Sequence, residues 1–147
     1  MMVVLQRVHR ASVRRKDGTA PSASIGRGYV LLVGIAAEDG EAEVRRLAAE
    51  VAKVRLMEDM DGKMGLNLRD AGGEVLAVSQ FTLLADFSKG NRPSFHRAAK
   101  AGSALPLFDL FVELLQKESG VDVRTGFFGS DMEVEILNDG PVTVVLY

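Results

Sequence analysis

A seven-residue run, Tyr29 to Ile35, constrains this chain more than any other feature. It reads YVLLVGI, nearly all apolar and rich in β-branched side chains. No polar residue alternates through it, so it suits a strand buried on both faces. A length of 147 residues fits one compact domain built around such a strand. Hydrophobic residues make up 47% of the chain against 26% charged, enough apolar material for a core and too much for a disordered chain.

The remaining elements follow from local pattern. Met2 to Arg14 alternates as a strand, and Lys16 to Gly18 (KDG) predicts a hairpin turn after it, because Asp-Gly tolerates positive φ. Asp39 is a candidate cap for a helix in which Val44, Leu47, Ala48, Val51 and Val54 recur at helical spacing. MDGK ends that helix. Asp70 to Gly73 (DAGG) reads as a second hairpin turn leading into a strand from Glu74 to Gln80. Ala85 to Pro93 is polar and glycine-containing, hence a loop. Ser103 is placed as the cap of a last helix, with Pro106 in its first turn, Leu107, Leu110, Phe111, Leu114 and Leu115 on its buried face, and Gly120 as its stop. Met132, Val134 and Ile136 alternate with acids in a further strand, and Val142 to Leu146 is the last one. The expected class is α+β: a single domain over residues 1–147, with a mixed, barrel-like sheet and two main helices.

Composition excludes several chemistries. With no cysteine there is no disulfide, thiolate metal site or cysteine nucleophile. The two histidines, His9 and His96, lie far apart and in no ligand-spaced motif, so no metal site is expected. No signal peptide or apolar run of about 18 residues is visible, so a cytoplasmic protein without membrane contact is expected. The net charge of −2 confines any nucleic-acid contact to a local basic patch. Ser79 follows a predicted strand but lies in VSQF rather than G-x-S-x-G, which weakens a serine-hydrolase reading.

Three segments carry candidate function. SQFTL (Ser79 to Leu83) sets hydroxyls and an amide at a strand end, where they either face a pocket or satisfy their own backbone. KGNRPSFHRAAK (Lys89 to Lys100) is either a nucleic-acid contact, with cations on phosphates and Phe95 or His96 on bases, or a solvated loop anchored by Phe95. NDGPVT (Asn138 to Thr143) is a turn between two strands.

QRVHRASV, GKM, VSQFTLLAD, KGNRPSFHRAA and NDGPVT stand in the order seen in D-aminoacyl-tRNA deacylases, which this chain resembles over its whole length. The resemblance implies that family's fold and a proofreading hydrolase that removes D-amino acids from tRNA, without cofactor or metal. It implies a homodimer with shared active sites, in which Gly140 and Pro141, joined by a cis peptide, enter the partner's pocket. Thr82 and Phe81 would lie nearest the substrate, supported by Ser79 and Gln80, with Arg7 holding the Gly-Pro loop. The terminal adenosine's 2′-hydroxyl would assist catalysis, and glycyl-tRNA would be poorly excluded. Lys89, Arg92 and Arg97 are candidates for the tRNA acceptor end on electrostatic grounds. Gly65, Asn67 and His9 depart from the residues usual at their places. The competing readings are an RNA-binding module without catalysis, a hydrolase using Ser79, and an editing enzyme of relaxed stereochemistry.

Overall fold

The computed structural model describes residues 1–147. Its organising element is β1 (Met2–Arg15), a strand long enough to be paired along both edges. One edge carries β8 (Met132–Leu146) antiparallel. The other carries first β3 (Gly28–Gly34), opposite Met2 to Val8, and then β2 (Ala23–Ile25), opposite Ala11 to Val13. The KDG turn is present, with Gly18 at φ 67°, but the hairpin closes over a longer connection because β2 begins only at Ala23. From β3 the sheet continues through parallel pairs to β6 (Glu74–Ser79) and then β7 (Val123–Thr125), which makes it mixed. It curls into a barrel-like form. Across the curl the Gly26 N–H donates to Glu74 Oε2 at 2.6 Å, and Arg124 donates to the Ser24 carbonyl.

The apolar run at β3 is buried on both faces. Tyr29, Leu31 and Val33 face the larger core, with Leu47, Val51, Phe111 and Leu115 of the two helices. Val30 faces the opposite way, into a smaller cluster with Val8, Val13, Ile25, Leu76 and Val78. Burial of side chains this size stabilises by roughly 1.5–3 kcal/mol each relative to exposure. Parallel pairing with β6 depends on Gly28, whose added Cβ would lie 1.9 Å from the Glu74 carbonyl oxygen.

Several local expectations change in the structure. The first helix, α1 (Glu41–Lys53), buries Val44, Leu47, Ala48 and Val51 as the spacing predicts, but Gly40 precedes it as cap. Glu43 accepts from the Gly40 N–H at 2.9 Å, whereas Asp39 turns back to the Ala36 N–H and the Met1 amine. The second, α2 (Ala101–Ser119), starts earlier than predicted. Lys100 is its cap, Ser103 sits in its first turn, and Pro106 lies inside it. The carbonyl the Pro106 ring must avoid belongs to Gly102, four residues back, which lacks a Cβ to hold that turn rigid. Gly120 ends α2 at φ 68° as expected.

MDGK turns between β4 (Met57–Glu58) and β5 (Met64–Leu66), which pair only with each other. DAGG is a turn but makes no hairpin, because β6 pairs parallel with β3 and β7 instead of folding back on β5. The two predicted C-terminal strands are one strand, β8, and its inward residues Met132 and Ile136 are only half-buried at the sheet edge. Opposite β1 the register moves from Val8↔Asn138 to Gln6↔Thr143. Residues 139–142 therefore stand against Arg7 alone, and NDGPVT forms a bulged protrusion within β8 rather than a turn between strands.

Candidate active site

β3 and β6 end side by side, at the Val33↔Ser79 pair. The Gln80 N–H makes one more bond, to the Val33 carbonyl at 2.7 Å, and the chain then leaves the sheet as a 3-10 turn, Phe81–Leu84. Gly34 permits this exit: a Cβ there would meet both the Gln80 carbonyl oxygen and Leu83 Cβ at 3.2 Å. Leu84 is buried and anchors the turn. The first N–H groups of such a turn have no partner within it, and no side chain caps this one. Gln80 Nε2 donates to Thr82 Oγ1, which orients the threonine.

The turn forms one wall of a pocket of about 590 Å³, in the range of small-molecule sites. Ser79, Gln80, Phe81 and Thr82 all line it. Ala99, Ala101 and Ala104, at the start of α2, leave room at one side, and Phe128 to Met132 close the far side. Sequence reasoning missed that far wall. The signal available was GFFGSD, two adjacent aromatic residues between glycines in a connection that has to cross the end of the sheet. Asp131 is the only ionisable residue in the lining. No histidine approaches Ser79: His96 Nδ1 is 3.1 Å from Ser94 Oγ, and His9 Nε2 is 3.4 Å from Asp139 Oδ1. The pocket can polarise a carbonyl with main-chain N–H groups and position a bound hydroxyl or water, but it presents no serine–histidine pair.

Arg7, Gly140 and Pro141 do not line this pocket in their own chain. They form a second constellation. Arg7 follows Val3 and Leu5 on the inward face of β1 and is 3% exposed. It donates to the Leu56 carbonyl and to Glu58 Oε1, both at 2.9 Å, and its Nε lies 3.0 Å from Asp139 Oδ2. That last contact is an ion pair whose N–H is off line for a hydrogen bond. Asn138 Nδ2 donates to the Val142 carbonyl at 3.3 Å, closing the base of the protrusion. At its exposed end the Gly140–Pro141 peptide is cis, as the resemblance implies, and Gly140 has φ 123°.

Lys89, Arg92 and Arg97 are exposed and make no salt bridge. Their loop is tied to the pocket. Phe95 packs edge-on against Phe81, with ring centroids 5.0 Å apart, and the Ala99 N–H donates to the Ile35 carbonyl at 2.9 Å. Asp86 at the loop's base has its carboxyl held below the usual range by hydrogen bonds from Ser88.

Solved structures share this architecture, a mixed barrel-like sheet carrying two helices. A structure described as a c-Myc DNA unwinding element binding protein superposes with a TM-score of 0.89 at 38% identity, covering 100% of this chain and 98% of that one. A second, described as a probable eukaryotic D-amino acid tRNA deacylase, gives 0.85 at 17% identity over 99% and 97%, a likeness of fold alone. The D-aminoacyl-tRNA deacylase of Thermomicrobium roseum is 53% identical over 146 residues, covering 99% of this chain and 93% of that relative. That of Chlorobaculum parvum is 49% identical over 146 residues, covering 99% and 97%. The family model for D-Tyr-tRNA(Tyr) deacylase matches residues 4–147, and the chain belongs to that family.

Proposed function

We propose that this chain hydrolyses the ester between a D-amino acid and tRNA in the pocket lined by Ser79 to Thr82, as a homodimer whose protomers complete each other's sites. Family membership supports the reaction. The observation that carries the finer reading is the separation within one chain of two constellations. The pocket holds Ser79 to Thr82 and lacks Gly140–Pro141, while those two residues stand exposed on a protrusion braced by a buried arginine. A second protomer would bring the two together.

Water adds to the ester carbonyl, the carbonyl-to-ribose bond breaks, and the ribose oxygen takes up a proton, leaving free D-amino acid and tRNA. The N–H groups of Phe81 and Thr82 stabilise the oxyanion. Asp131, the one ionisable group of the lining, stands on the far side from Phe81 and Thr82, so the free 2′-hydroxyl of the terminal adenosine, fixed beside the carbonyl, orients the water. Carbonyl oxygens of the partner's Gly-Pro segment hold the substrate α-amino group. With amine and ester fixed, a D side chain points outward and an L side chain drives its Cβ into those oxygens. Each 1.4 kcal/mol or so of clash rejects about tenfold. Glycine has no Cβ and passes, so glycyl-tRNA is also hydrolysed. Lys89, Arg92 and Arg97 meet the acceptor-end phosphates, and the substrate places the protein in the cytoplasm.

Deacylation of matched D- and L-aminoacyl-tRNA, each with a normal and a 2′-deoxy terminal adenosine, tests this reading. Release of the D-amino acid only, and only from the normal ribose, is expected. Full activity on the deoxy substrate would refute the RNA-assisted step, and equal D and L rates would refute the filter.

A further inference from the structure

The loop after the 3-10 turn is a basic stretch beside the pocket in a mildly acidic protein. Residues 85–100 hold Lys89, Arg92, Arg97 and Lys100 against one acid, Asp86, in a chain of net charge −2. That acid is already engaged: its carboxylate accepts the Ser88 N–H at 2.8 Å. Its backbone exchanges two hydrogen bonds with Ser94, at 2.8 and 2.9 Å, so residues 87–93 form a closed tip rather than a loose strand of chain. Within the tip the Gly90 N–H bonds the Phe87 carbonyl at 3.1 Å, at a glycine whose φ is 128°.

Phe87 sits on that tip with 57% of its surface in water. The other phenylalanine of the loop, Phe95, is turned inward against Phe81 and half-buried, so its ring is not free to stack on a base. The sequence offers base stacking to Phe95 or His96; His96 is exposed but held to Ser94 and facing Asp86, which leaves Phe87 as the exposed phenyl face of the loop. Distance favours this. Phe95 touches the pocket wall, Ser94 precedes it, Asp86 lies directly across, and Phe87 follows. That Cα path is at most about 13 Å long.

We propose that Phe87 is a stacking platform for an unpaired base of the tRNA 3′ end, just upstream of the adenosine held in the pocket, with Lys89 and Arg92 on the adjoining phosphates. Single-stranded RNA is held in this manner, by aromatic faces under bases and cations along the backbone. The inference rests on the pocket being the aminoacyl-adenosine site. It makes Phe87 a binding residue for the polynucleotide and gives it no part in ester chemistry.

The test compares Phe87→Ala with wild type on D-aminoacyl-tRNA and on D-aminoacyl-adenosine, which has no upstream nucleotide. KM for the tRNA should rise roughly tenfold or more, well beyond any change on the adenosine substrate. Phe87→Tyr should restore it and Phe87→Leu should not. Affinity for an uncharged oligonucleotide ending in CCA reads the same contact without hydrolysis and should weaken to a similar extent. An unchanged oligonucleotide affinity, equal losses on both substrates, or a shift in self-association in sedimentation experiments would overturn the proposal. A wild type that hydrolyses neither substrate, yet loses oligonucleotide affinity with Phe87→Ala, would refute the pocket reading and leave the platform standing.

Discussion

Replacing Asp139 by alanine should loosen the protrusion that carries Gly140 and Pro141 without emptying the pocket. Arg7 is 3% exposed and is met by Leu56, Glu58 and Asp139. Breaking a buried pair outright costs about 3–5 kcal/mol. Here Arg7 keeps a carboxylate and a carbonyl at 2.9 Å, but Glu58 is 43% exposed and its contribution is screened by water. Asp139, at 14% exposure, is the better-buried of the two acids. Its removal should therefore cost about 2 kcal/mol, less than stranding a buried charge outright because Arg7 keeps its other two partners. With an m-value of roughly 2 kcal/mol/M the urea midpoint falls by about 1 M, measured at fixed protein concentration so that any dimer linkage is held constant. Arg7→Ala should cost more, about 3–5 kcal/mol, because it strands Asp139 with only His9 nearby. If the protrusion is the handedness filter, the ratio of D to L deacylation should fall in Asp139→Ala while binding of uncharged tRNA holds. A midpoint within about 0.25 M of wild type, together with an unaltered D/L ratio, would refute the bracing role.

Other expected outcomes are equally direct. Gly34→Ala puts a Cβ 3.2 Å from the Gln80 carbonyl oxygen and from Leu83 Cβ. The turn bearing Phe81 and Thr82 must shift, so turnover should drop several-fold and stability by about 1 kcal/mol, read by steady-state kinetics and thermal melting; a wild-type rate would count against that packing. Burial pushes the Tyr29 hydroxyl up to about 12. The fold therefore favours neutral tyrosine, and its stability is intact below about pH 10 and declines as pH rises from there through about 12, by at most roughly 2.7 kcal/mol. Tyr29→Phe should flatten that decline, and an equal alkaline loss in both proteins would exclude Tyr29 as its source. Arg92→Ala should weaken tRNA binding and lower the magnitude of the salt slope by about 0.7–1 if Arg92 meets a phosphate, whereas an unchanged slope removes it from the interface.

What the sequence makes legible is what each residue's near neighbours decide. The α1 stripe and the doubly buried β3 run are settled by burial of contiguous side chains, and both stand as predicted except that Val54 falls just past the helix end as its half-buried C-cap. Parallel pairing of Gly28 with Glu74 joins residues remote along the chain, and no turn signal announces it. The DAGG turn even suggests the wrong, antiparallel neighbour. The pocket divides in the same manner. SQFTL is a compact local segment, recognisable at once, while its far wall comes from a connection more than forty residues later, with no local reason to be there.

Arg7 shows how far a single position can be pushed. It falls on the inward parity of β1 after Val3 and Leu5, so an alternating strand by itself requires a charge to enter the core at that place. A buried guanidinium needs carboxylates and carbonyls around it, and those are supplied from the β4 region and from the middle of β8. The second supply is possible only because four β8 residues stand opposite one residue of β1, which lets Asp139 turn its carboxylate to Arg7 while Gly140 and Pro141 remain outside. The bulge that interrupts the ladder and the charge that interrupts the apolar face are thus two halves of one arrangement. It is this arrangement that holds a Gly-Pro segment exposed and clear of the pocket in its own chain.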